Sequence, residues 1–110
     1  MGIQEENLKA LFLKALHAKK KVRVKFLAKE DECSITRVCA PMDYGPSRRA
    51  KDRSSRFHFW DFTSDVGSHT LSLLPFQVQS IGILGEYFNP SEFVKWNPKW
   101  IIPRDWGQYS

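Results

Sequence analysis

The spacing of apolar side chains changes from a helical period to a strand period near residue 20. Within residues 4–19, apolar side chains recur every three or four positions, at Leu8, Leu11, Phe12, Ala15 and Leu16. This spacing predicts an amphipathic helix. From residue 22, in VRVKF, apolar and basic residues alternate. Because such alternation is typical of a half-buried strand, residues 22–28 form the first predicted strand.

Four more short apolar segments follow, and they predict strands at 33–40, 56–63, 69–75 and 77–84. The first of these should form a hairpin with the strand at 22–28. Residues 41–55 hold two prolines and one glycine without usable periodicity, so they predict a long loop, and loops of this length are often functional or mobile. One helix and five strands predict a mainly β (α+β) fold, with the strands closed into a barrel that leaves no free edge.

The C-terminal part of the chain has a different character. Its three prolines, at positions 90, 98 and 103, preclude a long regular helix. Three tryptophans there, Trp96, Trp100 and Trp106, allow two interpretations. They complete the core as a strap, or they contact a partner, because tryptophan is enriched in interface hot spots. We therefore predict a single domain over residues 1–95 and a strap over 96–110 that packs on the domain or on a partner.

A basic segment is the strongest functional signal in the sequence. The chain of 110 residues fits one domain, and its net charge of +5 attracts phosphate over a long range. Five basic residues fall within nine positions, namely Arg48, Arg49, Lys51, Arg53 and Arg56. Guanidinium groups match phosphate with a planar fork of donors. A solvated loop without a ligand explains the same run equally well.

An aromatic strand follows this segment directly. Phe57, Phe59 and Asp61 share one face, whereas His58, Trp60 and Phe62 share the other. Folding has first claim on large apolar rings, so one set must lie in the core. Exposed rings stack on nucleobases. We predict that Phe57 and His58, at the start of the strand, contact a ligand beside the basic segment.

Catalytic and metal-binding patterns are missing from the sequence. The three histidines are scattered, and the six glycines form no phosphate-binding loop. We therefore expect a non-enzymatic protein without a metal or cofactor. Cys33 and Cys39 lie in one predicted strand, about 20 Å apart and beyond the roughly 7 Å limit for a disulfide. Free, largely buried thiols and the absence of a signal peptide or spanning segment lead us to expect a cytoplasmic protein that does not enter a membrane.

The order of these segments resembles the WYL domain of bacterial regulatory proteins, an Sm-like (SH3-like) β-barrel. The resemblance covers roughly residues 8–95. Arg37, Val38 and Pro41 match the segment before the loop, and Phe57, His58 and Phe59 occupy the place of the naming tripeptide. Val78 takes the place of the family's isoleucine, while Phe88 and Pro90 match the closing motif. Gln77 stands where the family has a ligand-contacting arginine. We therefore expect a divergent, stand-alone member without the family's usual upstream winged helix.

The resemblance implies a sensor that binds a nucleotide or single-stranded nucleic acid and transmits the event to regulators. Our first hypothesis is therefore a non-enzymatic regulatory module that binds such a ligand through the basic segment and the start of the aromatic strand. The alternative is a protein-interaction or homo-oligomerisation module, a homodimer or an accessory to a regulatory protein, with Trp96, Trp100 and Trp106 as the contact.

Overall fold

The computed structural model describes residues 2–27, 33–47, 52–63 and 69–110. Within these residues, one helix precedes five strands. The helix is α1 (Gly2–Ala18), and the strands are β1 (Lys20–Leu27), β2 (Ser34–Pro46), β3 (Ser55–Asp61), β4 (His69–Leu73) and β5 (Val78–Tyr87). The predicted α+β class with mostly β structure is confirmed.

The five strands form one antiparallel sheet in the order β4-β3-β2-β1-β5. The predicted hairpin of the first two strands is confirmed, with Val22 opposite Cys39 and Phe26 opposite Ile35. No ladder joins β4 to β5 within the described residues, so both are edge strands. The sheet is open, and the predicted closure into a barrel is not confirmed.

Strand β2 is longer than its sequence predicted. The segment from Pro41 to Pro46 continues the strand, so the prediction of a loop is wrong for these six residues. A register shift between Pro41 and Asp43 interrupts the pairing with β3. Proline lacks an N–H and is tolerated at such irregularities, which explains how the strand passes through it.

The hydrophobic core lies between α1 and one face of the sheet. Phe12 of the helix is fully buried, and its ring centroid lies 5.1 Å from that of Phe57 and 5.3 Å from that of Phe59. The odd-numbered face of β3 is therefore the core face. Asp61 on this face is also buried, and its carboxylate lies 3.7 Å from the Arg37 guanidinium, which balances its charge.

The C-terminal segment covers part of the opposite, outer face of the sheet. Phe93 stacks on Trp60 of β3 at a centroid distance of 5.7 Å. Further along the segment, Trp106 reaches the end of α1. It is only 3% exposed, and its indole N–H donates to the carbonyl of Leu16 at 2.9 Å. This segment therefore contributes to the packing of the chain's own domain.

The two cysteines differ in exposure. Both are free, as predicted, but Cys33 is exposed and only Cys39 is buried. The expectation that both thiols are largely buried is therefore wrong for Cys33, because it lies just before β2 begins. In the described part of the chain, no helix combines the length and apolar character needed to span a membrane.

Candidate functional site

A cavity of about 500 Å³ opens between the outer face of the sheet and the C-terminal segment. Strands β2, β3 and β4 supply one wall, and residues 96–101 supply the other. Its lining combines hydroxyl, amide, imidazole and ammonium groups with two indoles. The lining includes the side chains of Asp43, His58, Thr70, Ser72, Trp96, Asn97, Lys99 and Trp100.

The register of the sheet places a polar row across the floor of this cavity. Asp43 pairs with His58, and His58 pairs with Ser72 on the next strand. His58 Nε2 lies 2.9 Å from the carbonyl oxygen of Gly45, and Nδ1 lies 2.7 Å from Ser72 Oγ. A carbonyl only accepts, so Nε2 carries the proton, and in the neutral ring Nδ1 accepts from the Ser72 hydroxyl. The imidazole is held at both nitrogens.

Asp43 fastens the C-terminal segment to β2. Its carboxylate accepts from the backbone N–H groups of Ile101 and Ile102, each at 3.0 Å, and lies 3.4 Å from Arg104 Nη2. Gly45 permits this approach, because a side chain there would collide with Ile101. The negative charge of Asp43 is therefore matched within the protein.

Arg104 is the buried partner in this contact. Its side chain is fully buried, and its guanidinium carbon lies 4.1 Å and 4.4 Å from the ring centroids of Trp100 and Trp106. It also donates to the carbonyl of Met42. Burial lowers the pKa of Arg104 to about 10, while the carboxylate of Asp43 acts in the opposite direction. These contacts hold the second wall of the cavity in place.

Trp96 and Lys99 stand on that second wall. Trp96 is 46% exposed, and its ring meets the ring of Trp100 edge-on at a centroid distance of 6.1 Å. Trp100 is held in turn, because its indole N–H donates to the carbonyl of Tyr109 at 2.8 Å. Lys99 is exposed and makes no ion pair with any residue that the structure describes.

The structure separates the residues of the predicted ligand site. Arg48, Arg49 and Lys51 lie outside the described residues. Arg53 is exposed. His58 lines the cavity as an outer-face residue.

The position of Phe57 differs from the sequence prediction that it contacts a ligand. Its ring is fully buried against the helix and out of reach of a ligand, because the helix covers the odd-numbered face of β3.

Arg56, at the end of the basic segment, forms an ion pair within that segment. Its guanidinium lies 3.9 Å from the Asp52 carboxylate, and its Nε is buried without a hydrogen-bond partner among the described residues. Asp52 also accepts from the backbone N–H and the hydroxyl of Ser54, at 2.8 and 2.6 Å. These hydrogen bonds, followed by the charge of Arg56, lower the pKa of Asp52. Asp52 therefore offsets one of the positive charges that the sequence assigned to a ligand.

The three predicted contact tryptophans also have different environments. Trp106 is buried and Trp100 is half-buried, and both pack on Arg104 within the same chain. Trp96 is the one of the three that leaves a large part of its ring exposed.

Gln77, at the position of the family's arginine, lies outside the cavity. Its side-chain oxygen accepts from the backbone N–H of Leu74 at 3.0 Å, which stabilises the short turn before β5.

Sequence reasoning missed part of the cavity. Thr70 and Ser72 alternate in HTLSL, which places both on one face, but the sequence does not say which residues that face meets. Lys99 carried no periodic signal. In the part of the chain that is described, no group of three or more histidine, cysteine, aspartate or glutamate side chains could hold a metal ion.

No protein-family model and no curated protein matches this sequence. Among solved structures, the chain is similar to proteasome accessory factor B/C (PafBC) of Arthrobacter aurescens, with a TM-score of 0.60 and 16% sequence identity. The match covers 91% of this chain and 14% of the PafBC chain. At this identity the likeness concerns the fold alone: nearly the whole chain folds like a small part of PafBC. The likeness supports a WYL-like fold.

Proposed function

We propose that this chain is a non-enzymatic regulatory or sensor module that binds a nucleotide-like ligand or single-stranded nucleic acid on the outer face of its sheet. The observation that carries the proposal is the cavity of about 500 Å³ that combines His58, Trp96 and Lys99. Sites for small molecules typically have volumes of about 300–1,000 Å³ and a few convergent polar groups on apolar walls. The cavity has this size and this mixture of groups.

The charges around the cavity favour an anionic ligand. Asp43 lines the cavity, but its carboxylate is engaged by two backbone N–H groups and by Arg104. Lys99 also lines the cavity and makes no ion pair among the described residues. The chain is basic overall, which attracts a phosphate-bearing ligand by long-range electrostatics.

The fold supports a general class of function, namely a regulatory role. PafBC is a WYL-domain-containing regulator, and this chain resembles a part of it. The sequence resemblance to WYL domains points in the same direction. Ligand sensing and nucleic-acid binding are our proposals and rest on the cavity and the charges.

A salt series with short single-stranded oligonucleotides tests the proposal. If the four basic residues of positions 48–56 other than Arg56 contact phosphates, log affinity should fall against log salt with a slope of about −2.8. The variant Arg48→Ala/Arg49→Ala should flatten this slope by roughly 1.4. Lys9→Ala/Lys14→Ala removes the same charge from α1, on the opposite side of the sheet, and should leave the slope nearly unchanged. The proposal is refuted if the wild-type protein binds neither oligonucleotides nor mononucleotides at low salt.

The second candidate function is protein interaction, and one observation favours keeping it. Trp96 is 46% exposed, and tryptophan is enriched in interface hot spots. Light scattering of the wild type and of Trp96→Ala tests this alternative. A dimer that becomes a monomer in the variant supports it, and a monomeric wild type excludes self-association through Trp96.

A further inference from the structure

We propose that the exposed face of the Trp96 indole is the stacking surface for a nucleobase, and that Lys99 contacts the phosphate attached to it. The inference rests on the proposed function and adds the part of the ligand that is recognised and the two residues that recognise it. Neither residue belongs to the basic segment or to the aromatic strand from which the sequence predicted the site.

The Trp96 ring lines the cavity, and its contact with Trp100 restricts its motion. It is 46% exposed, yet its ring is in edge-on contact with Trp100. Trp100 is fixed by its hydrogen bond to Tyr109 and by the guanidinium of Arg104 against its face. A ring that is ordered before the ligand arrives loses little further conformational entropy on binding. The arrangement therefore suits stacking better than a freely rotating surface side chain would.

Other exposed aromatic rings on the surface do not share this setting. Phe76 is 79% exposed and Tyr87 is 65% exposed, but neither lines the cavity. Among the exposed aromatic rings that the structure describes, Trp96 is the one that lines this cavity with its polar groups. Every nucleobase has a flat π-face and a polar edge, and it can use both at such a place.

The polar groups near Trp96 can pair with the edge of a base. Asn97, the next residue, offers an amide with donors and an acceptor, and Thr70 offers a hydroxyl from β4. The Ser72 hydroxyl donates to His58 Nδ1, so its oxygen can only accept. His58 contributes less, because its Nε2–H is directed at the Gly45 carbonyl and its Nδ1 at the Ser72 hydroxyl. The pairing groups are thus mainly on β4 and on the C-terminal segment.

Lys99 contributes a positive charge to the lining of the cavity. Asp43 is the carboxylate of the lining and is engaged by Arg104 and the backbone, whereas the ammonium of Lys99 makes no ion pair among the described residues. An ammonium three positions after the stacking ring suits a base that carries a phosphate. An apolar or cationic ligand would leave this charge unpaired.

Calorimetric titration with two matched ligands tests the inference. Adenosine 5′-monophosphate carries a base and a phosphate, whereas ribose 5-phosphate carries the phosphate alone. We expect the nucleotide to bind at least tenfold more tightly to the wild type. Trp96→Ala should weaken nucleotide binding by roughly 5- to 150-fold, the range of one stacked base, and leave ribose 5-phosphate unaffected. Lys99→Gln should weaken both ligands.

Controls separate stacking from general effects. Phe76→Ala removes an exposed ring outside the cavity, and Lys14→Gln removes a charge from α1; both should bind like the wild type.

Titration with hexathymidylate distinguishes a free nucleotide from a strand. Binding of the strand alone, with the same loss in Trp96→Ala, assigns the base to single-stranded nucleic acid. If Trp96→Ala is poorly folded, protection of wild-type tryptophan fluorescence from iodide by the nucleotide, but not by ribose 5-phosphate, serves as the measurement.

The outcomes distinguish this inference from the proposed function. Equal binding of both ligands, or nucleotide and hexathymidylate binding that ignores Trp96, overturns the stacking role while anion binding stands. Binding that depends on Trp96 and ignores Lys99 overturns the phosphate contact. No binding of nucleotides or hexathymidylate at low salt overturns both the inference and the proposed function.

Discussion

Replacing Asp43 with alanine should destabilise the protein strongly, because this carboxylate joins two segments that are far apart in sequence. It accepts from the backbone N–H groups of Ile101 and Ile102 and pairs with Arg104, whose side chain is fully buried. In Asp43→Ala, two backbone N–H groups lose their acceptor, and one buried positive charge loses its partner.

The magnitude follows from the buried charge. Removing one partner of a buried ion pair typically costs about 3–5 kcal/mol, because the other charge stays desolvated. A domain of this size has a total stability of about 5–15 kcal/mol. The loss is therefore a large part of the total, and it lowers the urea midpoint by roughly 1–5 M for a typical dependence of the unfolding free energy on urea. Release of the C-terminal segment from the sheet would limit the loss, because Arg104 then reaches water.

Urea unfolding followed by circular dichroism and tryptophan fluorescence measures this effect. Asp105→Ala is the matched control, because this aspartate is exposed and makes no ion pair among the described residues, so the same change should leave the urea midpoint nearly unchanged. In Asp43→Ala/Arg104→Met both charges are gone, so the double variant should be more stable than Asp43→Ala alone. A loss below about 1 kcal/mol in Asp43→Ala, or strict additivity in the double variant, would refute the reasoning.

Three further predictions concern other parts of the fold. Under native conditions a thiol reagent should label Cys33 and spare Cys39, whose pKa is raised by burial and by the charge of Asp61; labelling of both at equal rates, measured by mass spectrometry, would contradict this. Lys19 directly follows α1 and lies in the left-handed region with φ 56°, so Lys19→Gly should raise the thermal midpoint by relieving up to about 1 kcal/mol of strain, and a lower midpoint would contradict it. Trp106→Ala should cost about 3–5 kcal/mol in urea unfolding, and the half-exposed Trp96→Ala clearly less; equal losses would show that the buried position of Trp106 does not contribute as we infer.

Local patterns in the sequence were sufficient to predict the elements of this fold. The helix and all five strands follow from spacings of apolar residues within a few positions, and such spacings depend on the geometry of one element alone. The extension of β2 through Pro41 was not predictable in this way. It depends on an irregularity in the pairing with β3, and this pairing involves a different part of the chain.

Tertiary structure decided which residues form the candidate site. Both faces of RFHFWDF are aromatic, so a period of two separates Phe57 from His58 without saying which one is buried. The position of α1 decided that Phe57 joins the core and that His58 lines the cavity. Asp43 and Arg104 are 61 positions apart, and their contact brings Trp96 and Lys99 opposite β4. No pattern within one segment contains such information, because a cavity between two segments exists only after both have packed on the same sheet.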